Sequence, residues 1–267
     1  MSVFSLEGRR AMVTGGAQGL GQGMAEALAR AGASVVVADV QDEAAAVVAK
    51  GIHEAGGTAA AVHLDVTDEA SWEAGVAEAV GLLGGLDVLV NNAGIEITSL
   101  VVDVDPDDVR RMLEVNVLGT LLGVKHGLRA MRPGGAAGSG GSIVNIASVA
   151  ATICFPGISA YSATKSAVDR LTRVAAAESG KLGYGVRVNC IYPGLVPTAM
   201  GAKLAQDASD LGLFGSPEEA VGAVVALTPA GRLGEVGDMA DVVVFLASDA
   251  SRFITGAGIP VDGGMGS

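Results

Sequence analysis

Short apolar, β-branched runs recur along the chain: RAMVT (10–14), SVVVAD (34–39), AAVHLD (60–65), LDVLVNN (86–92), GSIVNIAS (141–148) and VRVNCIYP (186–193). They are apolar throughout, the pattern of strands covered on both faces. Helix-like stretches separate them. In the first of these, Met24, Leu28 and Ala31 share a stripe that Glu26 and Arg30 avoid, which marks a helix with one buried face. Strand and helix alternate from end to end, so the pattern predicts an α/β fold. It is a doubly wound parallel sheet of about seven strands with helices on both faces. No shift in composition divides the chain, and residues 1–267 are expected to form a single domain. The piece PGGAAGSGGS (133–142) reads as a flexible loop between a long helix and a strand. Residues 197–235, interrupted by Pro197, Pro217 and Pro229, read as mobile helices and turns forming a lid over a substrate site.

Composition narrows the class. Half of the 267 residues are hydrophobic and 17% are charged, so a large core is expected. No apolar run reaches the length of a membrane span. The beginning of the chain lacks an apolar segment behind a basic leader, so no export signal is expected. Two cysteines, Cys154 and Cys190, give neither a disulfide framework nor ligand spacing. They fit free thiols in the cytoplasm. The histidines, His53, His63 and His126, are scattered in sequence, so no metal is expected. A net charge of −12 argues against nucleic acid as a partner.

The first run leads into TGGAQGLG, Thr14 to Gly21, and then a helix. A strand, a glycine turn and a helix N-terminus make an anion site, where backbone N–H groups and the helix dipole face a phosphate. Glycines at 15, 19 and 21 let the backbone approach a pyrophosphate closely. Asp39 ends the second run, eighteen residues after Gly21. A carboxylate there can accept both hydroxyls of an adenosine ribose and repels a 2′-phosphate. Gly16, Ala17, Gln18, Val40 and Gln41 around it carry no charge. A Rossmann-type domain binding NAD rather than NADP follows.

The stretch SVAATICFPGISAYSATK (148–165) carries the second chemical signal. Tyr161 and Lys165 are four apart, on one face of a helix. Ser148 lies thirteen residues upstream.

Together these residues resemble the short-chain dehydrogenases/reductases, in their compact single-domain branch, over the length of the chain. TGGAQGLG is similar to the family's TGxxxGxG loop. Asp65 in LDVT lies where the family holds the adenine ring, and NNAG (91–94) looks like its motif after the fourth strand. Asn116 in LEVNVLG, with Ser148, Tyr161 and Lys165, matches the catalytic set. YPGLVPT (192–198) is similar to the segment that touches the nicotinamide carboxamide, and ITGAGIPVDGGM is like the last-strand tail. The resemblance implies a nucleotide site formed by Gly15, Gln18, Gly19, Leu20, Gly21, Asp39, Val40, Asp65, Val66, Asn92, Ala93, Gly94, Tyr161, Lys165, Pro193, Gly194, Val196 and Thr198.

The chemistry follows from the residue types. Hydride loss from an alcohol leaves a hydroxyl proton to be removed. A phenol of ordinary pKa is a poor base near neutrality. A lysine one turn away, and the positive charge of oxidised nicotinamide, would stabilise the phenolate. Tyr161 is therefore the expected acid/base. Lys165 is expected to lower its pKa and to bind the nicotinamide ribose, and Ser148 to polarise the substrate oxygen. By resemblance, Asn116 holds a water of the proton relay. An asparagine satisfying backbone groups at a helix irregularity is compatible with that role.

Fold does not name the substrate. Glu96, Ser148, Ala150, Cys154, Phe155, Tyr161, Tyr192 and Leu195 are the expected pocket, with further candidates in 95–97, 149–155 and 200–214. Most are apolar, which suits a lipophilic secondary alcohol or ketone, alicyclic or steroidal. Glu96 could hydrogen-bond a distal hydroxyl or amine. The preferred expectation is that it faces solvent or pairs with a cation. Cys154 is expected as a small apolar filler. An alternative is reduction of a 3-oxoacyl thioester, with Lys125, Arg129 and Arg132 attracting an acidic carrier protein. Surface or subunit ion pairs are the preferred account of that basic run. A non-catalytic dinucleotide sensor is disfavoured by the intact Ser148, Tyr161 and Lys165. Apolar residues on more than one face of the helices near 106–131 and 159–181 predict a homo-oligomer, with a tetramer favoured.

Overall fold

The computed structural model describes residues 2–138 and 140–266. Ser139, inside the loop expected at 133–142, lies outside the described residues. Seven strands form one parallel sheet: β1 (Arg10–Thr14), β2 (Ser34–Asp39), β3 (Thr58–His63), β4 (Val88–Asn91), β5 (Gly141–Ile146), β6 (Val186–Pro193) and β7 (Gly258–Val261). Their order is β3-β2-β1-β4-β5-β6-β7. The order reverses between β1 and β4, and a ligand crevice belongs at the carboxyl ends of the strands beside such a reversal.

Alternation within each strand sorts side chains to the two faces. Ala11, Val13, Val35, Val37, Val88 and Val90 pack with α1 (Gly19–Arg30), α2 (Asp42–Glu54) and α9 (Val236–Ala247). Met12, Val36 and Leu89 point the other way, to α3 (Glu69–Leu83), α5 (Gly119–Met131) and α6 (Ser159–Lys181). Met24 and Leu28, on the predicted stripe of α1, are fully buried. Each such side chain contributes roughly 1.5–3 kcal/mol of burial. Trp72 anchors the second face, with its indole N–H donated to the Val66 carbonyl at 3.0 Å. The bidentate pair between Arg10 and Asp87 ties the start of β1 to the turn before β4.

β3 runs two residues earlier than the pattern of AAVHLD suggested. It aligns Thr58 with Ser34 and ends with His63 opposite Asp39. The chain after it, from Leu64, turns away to the Asp68 cap of α3. The region 197–235 contains two helices, α7 (Ala199–Asp210) and α8 (Pro217–Leu227). Thr198 caps α7 and Ser216 caps α8, which has Pro217 at its first turn.

Candidate active site

A cavity of about 680 Å³ opens at the carboxyl ends of the strands. Every strand from β1 to β6 delivers a segment to it: the glycine turn, Asp39–Gln41, Leu64–Thr67, Asn92–Glu96, Ile146–Ala150 and Pro193–Val196. α7 and α8 add Met200, Gly201, Leu204 and Val224.

The glycine turn is set by backbone geometry. Gly15 and Gly19 have φ of +60° and +57°, in the left-handed region. A Cβ on Gly21 would stand 2.0 Å from the Gly15 carbonyl oxygen, so the helix can approach the turn only without a side chain there. The NNAG segment fastens the turn from behind. The amides of Asn92 and Ala93 donate to the Thr14 hydroxyl, each at 3.1 Å. The Asn92 side chain donates to the carbonyls of Thr14 and Gly15 at 3.0 Å.

Asp39 is buried at the cavity wall. Its Oδ2 accepts from the Ala17 amide and its Oδ1 from the Gln41 amide, both at 3.0 Å. Each oxygen keeps further acceptor capacity for a hydroxyl. The carboxylate is thus held rigidly by the glycine turn while facing the cavity. The open turn at a helix N-terminus, the tethered acid and the bare glycine backbone fit an adenine dinucleotide.

At the other end of the cavity, Ser148 begins a 3₁₀ turn (Val149–Ala151). Its Oγ accepts from the Ala150 amide at 3.1 Å, which leaves its hydroxyl proton free to donate. Tyr161 lies opposite on α6. Burial pushes its phenol up to about 12; the Ser148 hydroxyl pulls it down, and the negative charge of Glu96 adds to the rise. Lys165 is buried one turn further on, with Nζ 5.6 Å from the Tyr161 ring centroid. One of its N–H groups goes to the Ile146 carbonyl at 2.8 Å, which leaves two for a ribose or a water. Burial brings its pKa down to about 8. The lowering of the tyrosine expected from Lys165 is not seen here: burial, Ser148 and Glu96 are the influences on the phenol.

Asn116 stands behind the cavity wall. It lies in a π-helical turn (Leu113–Leu118) between α4 (Pro106–Met112) and α5. Its side chain exchanges two 2.8 Å hydrogen bonds with the backbone of Ile95 and donates to the Thr164 hydroxyl at 3.0 Å. Thr164 in turn donates to the Tyr161 carbonyl at 2.7 Å. Asn116 therefore fixes the segment after NNAG against α6. A Cβ on Gly94 would fall 3.3 Å from Asn116 Oδ1 and 3.4 Å from Lys165 Nζ, so the bare glycine keeps the space between them clear. The sequence reading missed a second buried chain: Asn91 donates to Asn145 at 2.8 Å, and Asn145 to the Thr172 hydroxyl at 2.9 Å. Thr164 and Thr172 lie on the Lys165 side of α6, three and eleven residues after Tyr161, and that spacing was the available signal.

Of the expected nucleotide residues, all but Gly21 line the cavity. Gly21 acts one layer back, on the turn itself. Of the expected pocket residues, Glu96, Ser148, Ala150, Phe155, Tyr161 and Leu195 line it, and two do not. Tyr192 faces away on β6, where its hydroxyl donates to Asp169 at 2.5 Å beside Arg173. It shares a small core with Ala147, Val168 and Cys190. Cys154 is exposed, because its neighbours Ile153 and Phe155 take the inward positions of that segment. Phe155 stacks on Phe214, with centroids 6.1 Å apart. Arg111, Glu114 and Met265 also reach the cavity, which the sequence did not signal.

Glu96 is the larger departure. It is 8% exposed and makes no ion pair among the described residues. Its Oε1 accepts from the Thr98 hydroxyl at 2.8 Å, and its Oε2 is buried without a partner. Burial raises its pKa, opposed by Thr98 and by the charge of Lys203. The preferred expectation of a solvated or cation-paired Glu96 is corrected. His126 also meets acids that sequence distance concealed: it stacks on Trp72 near Glu69 and Glu73. Lys125 already pairs with Glu69.

A family model described as enoyl-(acyl carrier protein) reductase matches residues 15–266. Trans-4-hydroxycyclohexanecarboxylate dehydrogenase of Sinomonas cyclohexanicum is 40% identical over 260 residues, covering 95% of this chain and 91% of that one. The 3-alpha-(or 20-beta)-hydroxysteroid dehydrogenase of Mycobacterium tuberculosis is 40% identical over 97% of this chain and 90% of its own. A short-chain type dehydrogenase/reductase from Mycobacterium marinum superposes with a TM-score of 0.88 at 34% identity, with 99% of each chain covered. A gluconate 5-dehydrogenase from Burkholderia cenocepacia in complex with NADP and tartrate gives a TM-score of 0.88 at 35% identity, with 98% of this chain and 96% of that one covered. The chain belongs to the short-chain dehydrogenase/reductase family. It is an oxidoreductase of a family that uses a nicotinamide dinucleotide.

Proposed function

We propose that the protein interconverts a secondary alcohol and a ketone with NAD(H), on a lipophilic alicyclic or steroid-like substrate. The observation that carries this reading is one cavity with Asp39 at one end and Ser148, Tyr161 and Lys165 at the other. In the oxidative direction the Ser148 hydroxyl donates a hydrogen bond to the substrate oxygen and orients it. Ionised Tyr161 takes the hydroxyl proton of the alcohol. Lys165 holds the ribose and hands protons onward between Tyr161 and solvent; Asn116 positions both through Thr164 and Ile95. Bound NAD would supply the hydride acceptor and a positive charge that opposes the burial penalty on the phenol. The substrate wall is mostly apolar, with Ile153, Phe155, Ile158, Leu195, Met200 and Leu204, which agrees in kind with the cyclohexane and steroid substrates named for the relatives. Residues 197–235 act as its lid.

The choice of NAD rests on Asp39 and its uncharged neighbours, against a structural neighbour that binds NADP. The thioester alternative draws on the description of the family model. Its basic run is partly committed elsewhere: Lys125 pairs with Glu69, and the Arg132 guanidinium stands 5.8 Å over the Tyr184 ring. Exposed Leu113, Leu118, Leu121 and Val174 on the 106–131 and 159–181 helices support a homotetramer, and light scattering should give a mass well above one chain. Steroid, alicyclic, sugar and acyl alcohols supplied with NAD and with NADP, and read by reduced-nicotinamide absorbance, test the whole reading. Turnover with NAD at least about tenfold above NADP is expected for an alicyclic or steroid alcohol. Equal use of the two nucleotides, or turnover of acyl thioesters alone, would overturn it.

A further inference from the structure

Glu96 is the one acid on the substrate wall with an unused buried oxygen. The cavity wall that Glu96 joins also includes Ile95, Ile153, Phe155 and Leu195, none of which can donate a side-chain hydrogen bond. A carboxylate oxygen with no donor in an apolar wall is unfavourable, because burial removes its water without replacing it. Thr98 fixes the side chain through Oε1, which leaves Oε2 as a rotationally restrained acceptor. The nearest opposing charge, Lys203 on α7, acts only through space and is itself paired with Asp207. The Ser148 hydroxyl is engaged with Tyr161, on which Glu96 acts through its charge.

We propose that Glu96 Oε2 accepts a hydrogen bond from a second hydroxyl on the substrate, distal to the carbinol that faces Tyr161. The preferred substrate is then a diol or a hydroxylated ring rather than a simple alicyclic alcohol. This inference rests on the dehydrogenase reading above and deepens it. A site built to hold a hydroxyl rejects the analogue without one, since the acceptor is then buried unpaired. Glutamine at 96 keeps the shape and an acceptor for Thr98 but can turn an N–H₂ donor towards the substrate.

The test compares initial rates of the full-length wild type, Glu96→Gln and Glu96→Met with cyclohexanol, the 1,2-, 1,3- and 1,4-cyclohexanediols and 4-aminocyclohexanol. At least one diol should exceed cyclohexanol in kcat/KM by roughly tenfold or more in the wild type. That ratio should fall towards one in Glu96→Met, whereas Glu96→Gln, which can still hydrogen-bond a hydroxyl through its amide, should keep part of it. A wild-type ratio near one for every diol overturns the proposal without any variant being needed. A ratio that survives Glu96→Met overturns it as well, and an amino alcohol preferred over every diol overturns the assignment to a hydroxyl. If no alcohol is turned over with either nucleotide, the dehydrogenase reading fails. Calorimetry with added NADH then decides Glu96 by itself: tighter binding of a diol than of cyclohexanol by the wild type alone sustains it, and equal binding overturns it.

Discussion

The two ends of the cavity are built on different principles. At the nucleotide end the polar groups are tied to backbone: Asp39 by the amides of Ala17 and Gln41, Asn92 by the carbonyls of Thr14 and Gly15. Each lies at a strand end or in the turn that follows it. At the substrate end the wall comes from the segment after β4, the segment 149–158 and the helices α7 and α8, and its one buried acid keeps an oxygen free. The first end is rigid because its hydrogen bonds close within a few residues of the sheet. The second can change its ligand by changing side chains that the sheet does not constrain. Tyr161 stands where the two meet, which is why its environment responds to both Ser148 and Glu96.

Substitution at that junction should have the largest effect. Tyr161→Phe is expected to cut turnover by about a thousandfold or more while NADH affinity, read by fluorescence titration, stays within a few-fold. Normal turnover would remove Tyr161 as the acid/base and with it the division between the two ends. A second test concerns burial of charge. Lys165 falls from its ordinary value of 10.5 to about 8 in the folded protein. Between those pH values the unfolded chain therefore binds more protons, and this group makes stability rise with pH. Compared with Lys165→Met, the wild type should gain on the order of 2–3 kcal/mol from pH 7.5 to 10.5, measured by urea unfolding at each pH. Parallel stability curves would show that Lys165 is not desolvated. The smallest effect is expected outside the cavity. Tyr192→Phe loses the bond to Asp169 and should cost about 1 kcal/mol of stability, while the substrate KM moves less than twofold. A large change in KM with no loss of stability would return Tyr192 to the pocket.

What the sequence disclosed follows the same division. The glycine turn, Asp39 and the Tyr161–Lys165 pair are local patterns, each complete within one strand, turn or helix. Glu96 could not be placed from its neighbours, because its burial is decided by α7 and by the 149–158 segment, more than fifty residues away. Tyr192 was misassigned for the same reason: its partner Asp169 lies twenty-three residues earlier, on the helix behind β6. β3 slipped by two residues because the run stays apolar at Leu64, beyond the His63 that ends the strand. β7, only four residues with two of them Gly and Pro, was legible through the resemblance of its tail and not through hydropathy.

α6 carries Tyr161, the Thr164 that bonds Asn116, the buried Lys165 and the Thr172 that receives Asn145, all on one side of the helix. Each residue of a helix advances 1.5 Å and turns about 100°. Deleting one residue between Tyr161 and Lys165 would swing one of them about a quarter-turn off that face; deleting one between Lys165 and Thr172 would turn either the lysine from the Ile146 carbonyl or Thr172 from Asn145. The helix works as a ruler with fixed graduations. Length variation is therefore confined to the loops and ends of the chain, and the interior of α6 accepts changes of residue but not of residue number.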